Sequence, residues 1–434
     1  MSSPTVASGP QLDDPAATAV TAPAQRGWVV TLAGTGINLA LGILYTWSVI
    51  SKGVPAEWGW SEAAKSLPYA VACLTFSLVM VPAGRMQDRI GPRVVATIGG
   101  LLVGAGMILA SFTTSALGYI VGFGLLAGAG IGCGYAAATP PAVKWFPAKK
   151  TGLIAGIVVS GFGLASVYAA PLASYLTEAY GLPRTMMILA IGFLVLVVLL
   201  AQLLAPPPKG YVPPGTPPAQ PGAAAMKRED LTPSEMLATW QFYVLWFMYA
   251  CGAGAGLMII SKVKMIASTQ AGLSLSLATM LVSVLAIGNG AGRIVAGTLS
   301  DRLGRKTTMF ICFVLQAITI LLLSRAQSGS ALATLPVMCV LAALVGANYG
   351  ANLSLFPSVS KDFYGLKNFG VNYGLVFTAW GLGGFVLSLL AGNVYDRTHS
   401  FSFAYYCSAG LLIAAALVTF VVRPPHRKAA AATE

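Results

Sequence analysis

The stretch that decides the fold is Gly84-Arg-Met-Gln-Asp88-Arg89-Ile-Gly91-Pro-Arg93, which returns later as Gly297-Thr-Leu-Ser-Asp301-Arg302-Leu-Gly304-Arg305-Lys306. In both copies a glycine, an aspartate, an arginine and a second glycine stand at the same spacing, and the copies are 213 residues apart. Solenoid repeats have periods of only about 20 to 50 residues, so a repeat of half the chain indicates two copies of one large unit. The motif therefore predicts a chain built of two related halves.

The composition places both halves in a membrane. Hydrophobic residues make up 56% of the chain and charged residues 9%, whereas about a quarter of the residues in a soluble domain are charged. Apolar runs of about twenty residues recur, which is the length that a helix needs to cross the hydrocarbon core. We expect an all-α polytopic membrane protein with twelve transmembrane helices in two pseudo-symmetric six-helix bundles, near 27–51, 66–84, 93–112, 116–143, 152–177, 184–205, 240–261, 274–298, 306–325, 332–357, 368–391 and 402–422.

These spans divide the chain into five regions. The first 25 residues lack the basic start and apolar core of a signal peptide, and their Ala, Pro, Ser and Thr content predicts a disordered tail. The regions that we expect are this tail at 1–25, the first bundle at 26–205, a Pro-rich extended linker at 206–236, the second bundle at 237–423 and a second tail at 424–434.

The basic residues predict the orientation. Of the 26 lysines and arginines, 18 fall on the side that holds both termini, the linker and the motif loops, and 7 fall on the other side, among them Lys262 and Lys264 in a predicted loop. Lys and Arg accumulate in cytoplasmic loops, so we expect both termini in the cytoplasm of a bacterium and the chain in its inner membrane. The net charge of +13 is spread over these short loops, which argues against a nucleic-acid partner.

One basic residue, Arg293, remains inside a span. It lies eight residues before Asp301, about 12 Å from the motif and close to the bilayer midplane. A charge there costs about 2.5 to 3.5 kcal/mol even on the lenient insertion scale. Every aspartate and glutamate falls in a loop, a tail or a helix end, and a guanidinium matches a carboxylate. We therefore expect Arg293 to bind a substrate anion; in the alternative, it bonds backbone carbonyls within a glycine-rich helix.

Further polar and aromatic side chains fall on neighbouring spans. Asn289 stands one turn before Arg293, where it can orient the guanidinium or bond the substrate. The other predicted substrate-binding residues are Tyr45, Tyr135, Tyr349, Asn352, Tyr373, Phe377 and Trp380, and the same spans carry Asn38, Thr139, Asn348 and Asn372. For each residue alone, packing between helices is the alternative. Together they predict one central cavity, with no metal and no cofactor.

The repeated G-x-x-x-D-R-x-G motif resembles that of the major facilitator superfamily, and the resemblance covers the whole chain. It implies that Asp88, Arg89, Asp301 and Arg302 take part in a charge network that closes the cytoplasmic ends of the helices when the carrier faces outward. The alternative is that these four residues are ordinary loop charges.

Three stretches are similar to the oxalate:formate antiporter family and the monocarboxylate transporters. They are the segments Asn38–Ser48, Glu235–Trp246 and Gly365–Gly374, and the eighth span also matches through Asn289 and Arg293. The resemblance implies secondary active transport of small carboxylates by alternating access, with Arg293 as the anion site.

The chain departs from these families at two positions. Oxalate carriers are expected to have a lysine where this chain reads Thr378-Ala379-Trp380-Gly381. A single fixed cation suits a single carboxylate, so we expect monocarboxylates such as lactate, pyruvate or formate. Proton-coupled animal carriers have an aspartate where this chain has Asn289, which cannot titrate. Two modes of transport therefore remain as alternatives, proton-coupled symport and exchange of one anion for another.

Functions other than monocarboxylate transport make different demands on the chain. An oxalate:formate-type exchanger and a non-transporting carboxylate sensor remain as alternatives. A membrane enzyme would need clustered catalytic side chains, whereas the chain has only two histidines, His399 and His426. A multidrug cation exporter would need an acidic residue within the membrane. The expected partners are a small carboxylate anion, the lipid bilayer and, if transport is coupled, protons, and we expect a functional monomer that is not an enzyme.

Overall fold

The computed structural model describes residues 24–147, 151–208, 211–213, 230–365 and 368–425, and these residues are almost entirely helical. Most of both predicted tails and the centre of the predicted linker lie outside the described residues. Within the described residues, eleven helices are long and apolar enough to cross a membrane, and a shorter apolar helix follows them. The predicted all-α membrane fold is confirmed.

The N-terminal half contains eight α-helices, which form six spans because two of the spans are interrupted. The first span passes from an α-helix through a 3-10 turn at Gly42–Thr46 into a second short helix, and the fourth contains a π-helical segment at Ile120–Ala127. The helices are α1 (Ala24–Leu41), α2 (Trp47–Lys52), α3 (Glu62–Ile90), α4 (Pro92–Ser111), α5 (Ala116–Tyr119), α6 (Gly128–Val143), α7 (Thr151–Tyr180) and α8 (Leu182–Ala201).

The C-terminal half begins with a short helix, α9 (Pro233–Leu237), and continues with five helices long enough to span a membrane and a shorter apolar helix. These helices are α10 (Trp240–Met265), α11 (Leu275–Leu303), α12 (Arg305–Ser324), α13 (Leu335–Tyr364), α14 (Phe369–Thr398) and the shorter α15 (Ser402–Val418). The repeated motif occupies equivalent places in the two halves, at the turn from α3 to α4 and at the turn from α11 to α12.

The last glycine of each motif makes these turns. Gly91 has φ 89° and Gly304 has φ 84°, which is a left-handed backbone conformation that residues with a Cβ rarely adopt. In each case the next helix begins at the following residue, Pro92 or Arg305. We call the end of the bundle that carries these turns the motif end and the opposite end the far end.

The seventh span is longer than predicted. Helix α10 continues past residue 261 to Met265 and then through a π-helical turn at Ile266–Gln270. The prediction that Lys262 and Lys264 lie in a loop is therefore wrong, since both are buried in the helix near the far end. Their ammonium groups donate hydrogen bonds to Glu62 and Ser174 respectively, which permits burial.

The end of the predicted linker is folded and docked, and is not an extended tether. Helix α9 begins with a capping box, in which Thr232 accepts from the backbone N–H of Glu235 and the Glu235 carboxylate accepts from that of Thr232. The Leu231 carbonyl accepts from Asn368 and Asn372 at the start of α14. Asn372, predicted to line the cavity, therefore binds the linker.

Two helix pairs make the most extensive contacts between the halves. Helix α3 packs along α14, and α7 packs along α11. Small residues permit the first contact, since a Cβ at Gly384 would lie 3.2 Å from Cβ of Cys73 and a Cβ at Gly392 would lie 2.9 Å from the carbonyl oxygen of Glu62. The second contact places Arg293 of α11 against α7.

Candidate functional site

Arg293 crosses from one half to the other. Its Nη1 donates a hydrogen bond of 2.6 Å to the carbonyl of Val159 on α7, and its Nε donates one of 3.1 Å to Oδ1 of Asn289. The guanidinium packs against Gly163, where an added Cβ would lie 3.2 Å from Nε. The Arg293 residue is only 4% exposed, and its Nη2 has no hydrogen-bond partner among the described residues. One donor edge of a buried cation is thus left unused.

The charge of Arg293 is not neutralised by a carboxylate among the described residues. The ion pairs seen among the described residues join Glu62 to Lys65 and Lys262, and Arg305 to Asp301 and Asp362. Both groups lie at the ends of the bundle. A buried guanidinium without a counter-ion is energetically costly and attracts an anion.

Local structure explains how Arg293 reaches this position. Helix α11 packs closely on α13 because glycines on α11 face the α13 backbone; a Cβ at Gly292 would lie 2.5 Å from Cα of Ala347. Asn289 stands one turn from Arg293 and is fully buried. Since its Oδ1 accepts from Arg293, its Nδ2 points elsewhere, and within the part of the chain that the structure describes that amide nitrogen also lacks a partner. Asn289 therefore orients the guanidinium and presents a second unused donor.

Five of the other predicted site residues meet at the centre of the molecule, between the halves. The Tyr45 and Tyr349 hydroxyls are 2.5 Å apart, and Trp380 Nε1 donates to the Tyr349 hydroxyl at 2.8 Å. Phe377 stacks on Trp380 with ring centroids 5.1 Å apart. Tyr135 lies 6.1 Å from Phe377 by the same measure. We call Tyr45, Phe76, Tyr135, Phe162, Tyr349, Phe377 and Trp380 the central aromatic cluster.

The cluster lies beside Arg293. The guanidinium acts electrostatically on the phenol groups of Tyr45, Tyr135, Tyr349 and Tyr373, and the Tyr135 hydroxyl also interacts with it directly. The rings fill the centre of the interface, because all seven side chains are buried. The polar groups and aromatic side chains that were expected to line a cavity are thus brought together. In this conformation the aromatic rings themselves fill the space that the cavity was expected to occupy.

Two predicted site residues, Asn352 and Tyr373, form hydrogen bonds with residues outside the central aromatic cluster. Asn352 donates from Nδ2 to the carbonyl of Asn348, and its Oδ1 would be 2.7 Å from a Cβ at Gly252 of α10. The Tyr373 hydroxyl lies 3.4 Å from that of Tyr249, and its ring stacks on Phe369 towards the motif end. These contacts are within the C-terminal half.

The structure adds residues that the sequence did not single out. Phe76 and Phe162 belong to the central cluster, where they pack against Tyr135 with ring centroids 5.3 and 5.5 Å apart. Phe76 lies 213 residues before Asn289, so it holds the equivalent position in the first half. The internal repeat could therefore have pointed to Phe76. No pattern in the sequence marks Phe162.

The far end is held by a polar connection between the halves. Lys262 of α10 forms a salt bridge of 3.0 Å with Glu62 of α3. The two carboxylate oxygens of Asp396 on α14 accept from the backbone N–H groups of Glu62 and Ala63, both at 2.8 Å. A carboxylate is stabilised at a helix N-terminus. We call Glu62, Lys262 and Asp396 the far-end latch, which sequence analysis missed.

At the motif end the predicted gating residues behave differently. The Asp301 carboxylate pairs with Arg305 at 2.7 Å, and Arg305 also reaches Asp362 at 3.3 Å, so these two ion pairs of Arg305 lie within one half. Arg89 and Arg302 are exposed. The side chain of Asp88 lies outside the described part of the chain.

Comparison with known proteins agrees with this architecture. The family model described as Major Facilitator Superfamily matches residues 27–266 and 245–434. The oxalate:formate antiporter of Oxalobacter formigenes is 29% identical over 409 residues, covering 92% of this chain and 91% of that protein. Human monocarboxylate transporter 11 is 25% identical over 398 residues, covering 90% and 82% respectively.

The fold is also found among solved structures. A bacterial homologue of the human lysosomal transporter Spinster, in an inward-facing and unoccupied conformation, matches with a TM-score of 0.65 and 16% identity. The match covers 93% of this chain and 97% of that one. Because both halves match the family model and the two-bundle fold is present, the chain belongs to the Major Facilitator Superfamily.

Proposed function

We propose that this protein is a secondary active transporter of small monocarboxylates, in which Arg293 binds the substrate carboxylate. The observation that carries the proposal is the buried, uncompensated guanidinium of Arg293 with its unpartnered Nη2. A carboxylate placed there would receive charge-assisted hydrogen bonds, which are about twice as strong as neutral ones. It would also neutralise a charge that otherwise opposes closure of the site.

The surroundings of Arg293 favour one carboxylate over two. Trp380 stands where a lysine is expected in oxalate carriers, and its indole N–H is already bonded to Tyr349. A second carboxylate in the central aromatic cluster would be buried without a cation, which is costly. Lactate, pyruvate and formate fit this requirement. The names of two relatives, an oxalate:formate antiporter and a monocarboxylate transporter, agree with a small carboxylate as substrate.

Alternating access accounts for the arrangement of the two ends. The far-end latch joins the halves, whereas the motif-end ion pairs of Arg305 lie within one half. By the excess of basic residues, the motif end is cytoplasmic and both termini lie in the cytoplasm of a bacterial cell. The conformation therefore corresponds to a carrier closed to the outside. In the opposite state, Asp88, Arg89, Asp301 and Arg302 would connect the halves at the motif end.

Anion exchange is the second candidate. Asn289 occupies the place of the aspartate in proton-coupled carriers, and its Oδ1 accepts a hydrogen bond from Arg293. An amide cannot carry a proton through the transport cycle. Exchange of one anion for another needs no titrating group, so Asn289 favours exchange over proton-coupled symport by a protein carboxylate.

Uptake into proteoliposomes tests the proposal. Labelled lactate, pyruvate, formate and oxalate are supplied with and without an inward proton gradient, and with and without internal anion. We expect saturable monocarboxylate uptake that exceeds oxalate uptake; a dependence on internal anion identifies exchange, and a dependence on the gradient identifies coupling.

The matched control is Arg184→Lys, an exposed arginine at the start of α8. It should transport like the parent, whereas Arg293→Lys should not. Uptake of oxalate alone, or no uptake at all despite binding of a monocarboxylate, would overturn the proposal; the second result would indicate a sensor.

A further inference from the structure

A buried hydrogen-bond acceptor, on a residue that binds the same turn of α7 as Arg293, is not used by the function proposed above. It is Oδ1 of Asn38 on α1, a fully buried residue of the N-terminal half. The Asn38 Nδ2 donates a hydrogen bond of 3.0 Å to the carbonyl of Val158. A carbonyl only accepts, so this bond settles which end of the amide faces Val158. The oxygen must face away from that carbonyl, and none of the described residues donates a hydrogen bond to it.

Asn38 and Arg293 approach the same turn of α7. Arg293 donates to the carbonyl of Val159, the residue that follows Val158. Successive carbonyl oxygens of an α-helix are about 3 to 4 Å apart, from the rise and rotation per residue. A cation from the C-terminal half and an amide from the N-terminal half are therefore held on neighbouring carbonyls. Because both side chains bind this one turn, a small ligand bound to Arg293 would lie beside the turn that Asn38 contacts.

The unpartnered groups at this place differ in kind. Arg293 Nη2 and Asn289 Nδ2 are donors, and of the two hydroxyl hydrogens on Tyr45 and Tyr349 only one is used in the bond between them. These donors suit the oxygens of a carboxylate. Asn38 Oδ1 is an acceptor, and a carboxylate offers it nothing. It needs a ligand that carries a donor beside the carboxylate.

We propose that Asn38 determines specificity by accepting the hydroxyl hydrogen of a 2-hydroxy monocarboxylate. The inference rests on the proposed function and narrows its substrate class to 2-hydroxy acids. Lactate has a hydroxyl donor next to its carboxylate. Pyruvate presents a carbonyl oxygen at that place, which would face the Asn38 oxygen and be repelled. Propionate has neither group and leaves Oδ1 unpaired, and a buried unpaired polar group is unfavourable.

The test compares lactate, pyruvate and propionate as labelled substrates in proteoliposomes. The parent, Asn38→Leu and Asn38→Ser are measured, and kcat/KM is obtained for each substrate. The matched control is Asn393→Leu, since Asn393 also donates from its amide to a helix carbonyl, that of Leu389, but is exposed and distant from the site. Asn38→Ser keeps an oxygen that accepts, so it preserves the test if the leucine variant does not fold.

We expect the parent to prefer lactate over both other acids. Asn38→Leu should lower kcat/KM for lactate relative to propionate by about three- to tenfold, the effect of one hydrogen bond. The ratio of kcat/KM for lactate to that for propionate in Asn38→Ser should lie between the ratios of the parent and Asn38→Leu. Asn393→Leu should match the parent. Equal losses for all three substrates in Asn38→Leu, or a parent without preference for lactate, would overturn the role of Asn38 and leave the proposed function standing. Transport of none of the acids by the parent would overturn both.

Discussion

Replacing Lys262 by methionine should open the far end of the protein. The salt bridge between Lys262 Nζ and Glu62 Oε2 is 3.0 Å long, and the side chains are 4% and 17% exposed. Removing one partner of a buried pair typically costs about 3 to 5 kcal/mol. Glu62 keeps Lys65 as a partner at 2.9 Å, and it is partly exposed, so we expect about 1 to 2 kcal/mol. Because the bridge exists only while the far end is closed, this loss shifts the conformational equilibrium about 5- to 30-fold towards opening.

Cysteine labelling measures this shift. Ser66 is buried at the α3–α14 contact, so a cysteine introduced there, with the six native cysteines replaced, reports opening through its reaction with a membrane-impermeant maleimide. The labelling rate should rise about 5- to 30-fold in Lys262→Met. Lys65→Met is the matched control, since Lys65 pairs with Glu62 within one helix and does not join the halves. Parental labelling in Lys262→Met, or an equal rise in Lys65→Met, would refute the reasoning.

Three further substitutions probe the site and the latch. Arg293→Lys keeps the charge but loses one charge-assisted hydrogen bond of about 1.5 to 3 kcal/mol, so kcat/KM for lactate should fall about 10- to 150-fold; a fall of less than about threefold contradicts the guanidinium as the anion site. Trp380→Lys adds a second cation, and the ratio of oxalate to lactate uptake should rise by about tenfold or more; an unchanged ratio removes Trp380 from the site. Asp396→Asn can satisfy only one of the two N–H groups at the start of α3, so the Ser66 labelling assay should show a rise about as large as that of Lys262→Met, and labelling at the parental rate counts against the latch.

The spans and the repeat were readable from the sequence because they depend on local physics. Apolar length sets a span, and the glycine that ends each motif is needed for the left-handed turns at Gly91 and Gly304. Arg293 could be found by elimination, since it was the one basic residue that no loop could hold. The sequence predicted that Arg293 binds either a substrate anion or backbone carbonyls. The structure allows both, because Nη1 donates to the Val159 carbonyl and Nη2 is left for a ligand.

Contacts between distant parts of the chain were not readable. The hydroxyls of Tyr45 and Tyr349 meet across 304 positions, and Glu62 meets Lys262 across 200. Lys262 and Lys264 were assigned to a loop because the cost of burying a lysine cannot be judged without knowing its partner. The same holds for Asn38, whose unpartnered oxygen becomes visible only when Val158 is seen to bind its amide nitrogen.

Calorimetric binding of lactate and lactamide to the purified protein tests the central claim most directly. The two ligands differ in that lactamide has a neutral amide in place of the carboxylate. If Arg293 is the anion site, lactate should bind saturably, whereas lactamide should bind at least about tenfold more weakly, and Arg293→Gln should lose the difference between the two. Equal affinity of the parent for lactate and lactamide, or undiminished lactate binding by Arg293→Gln, would contradict the account.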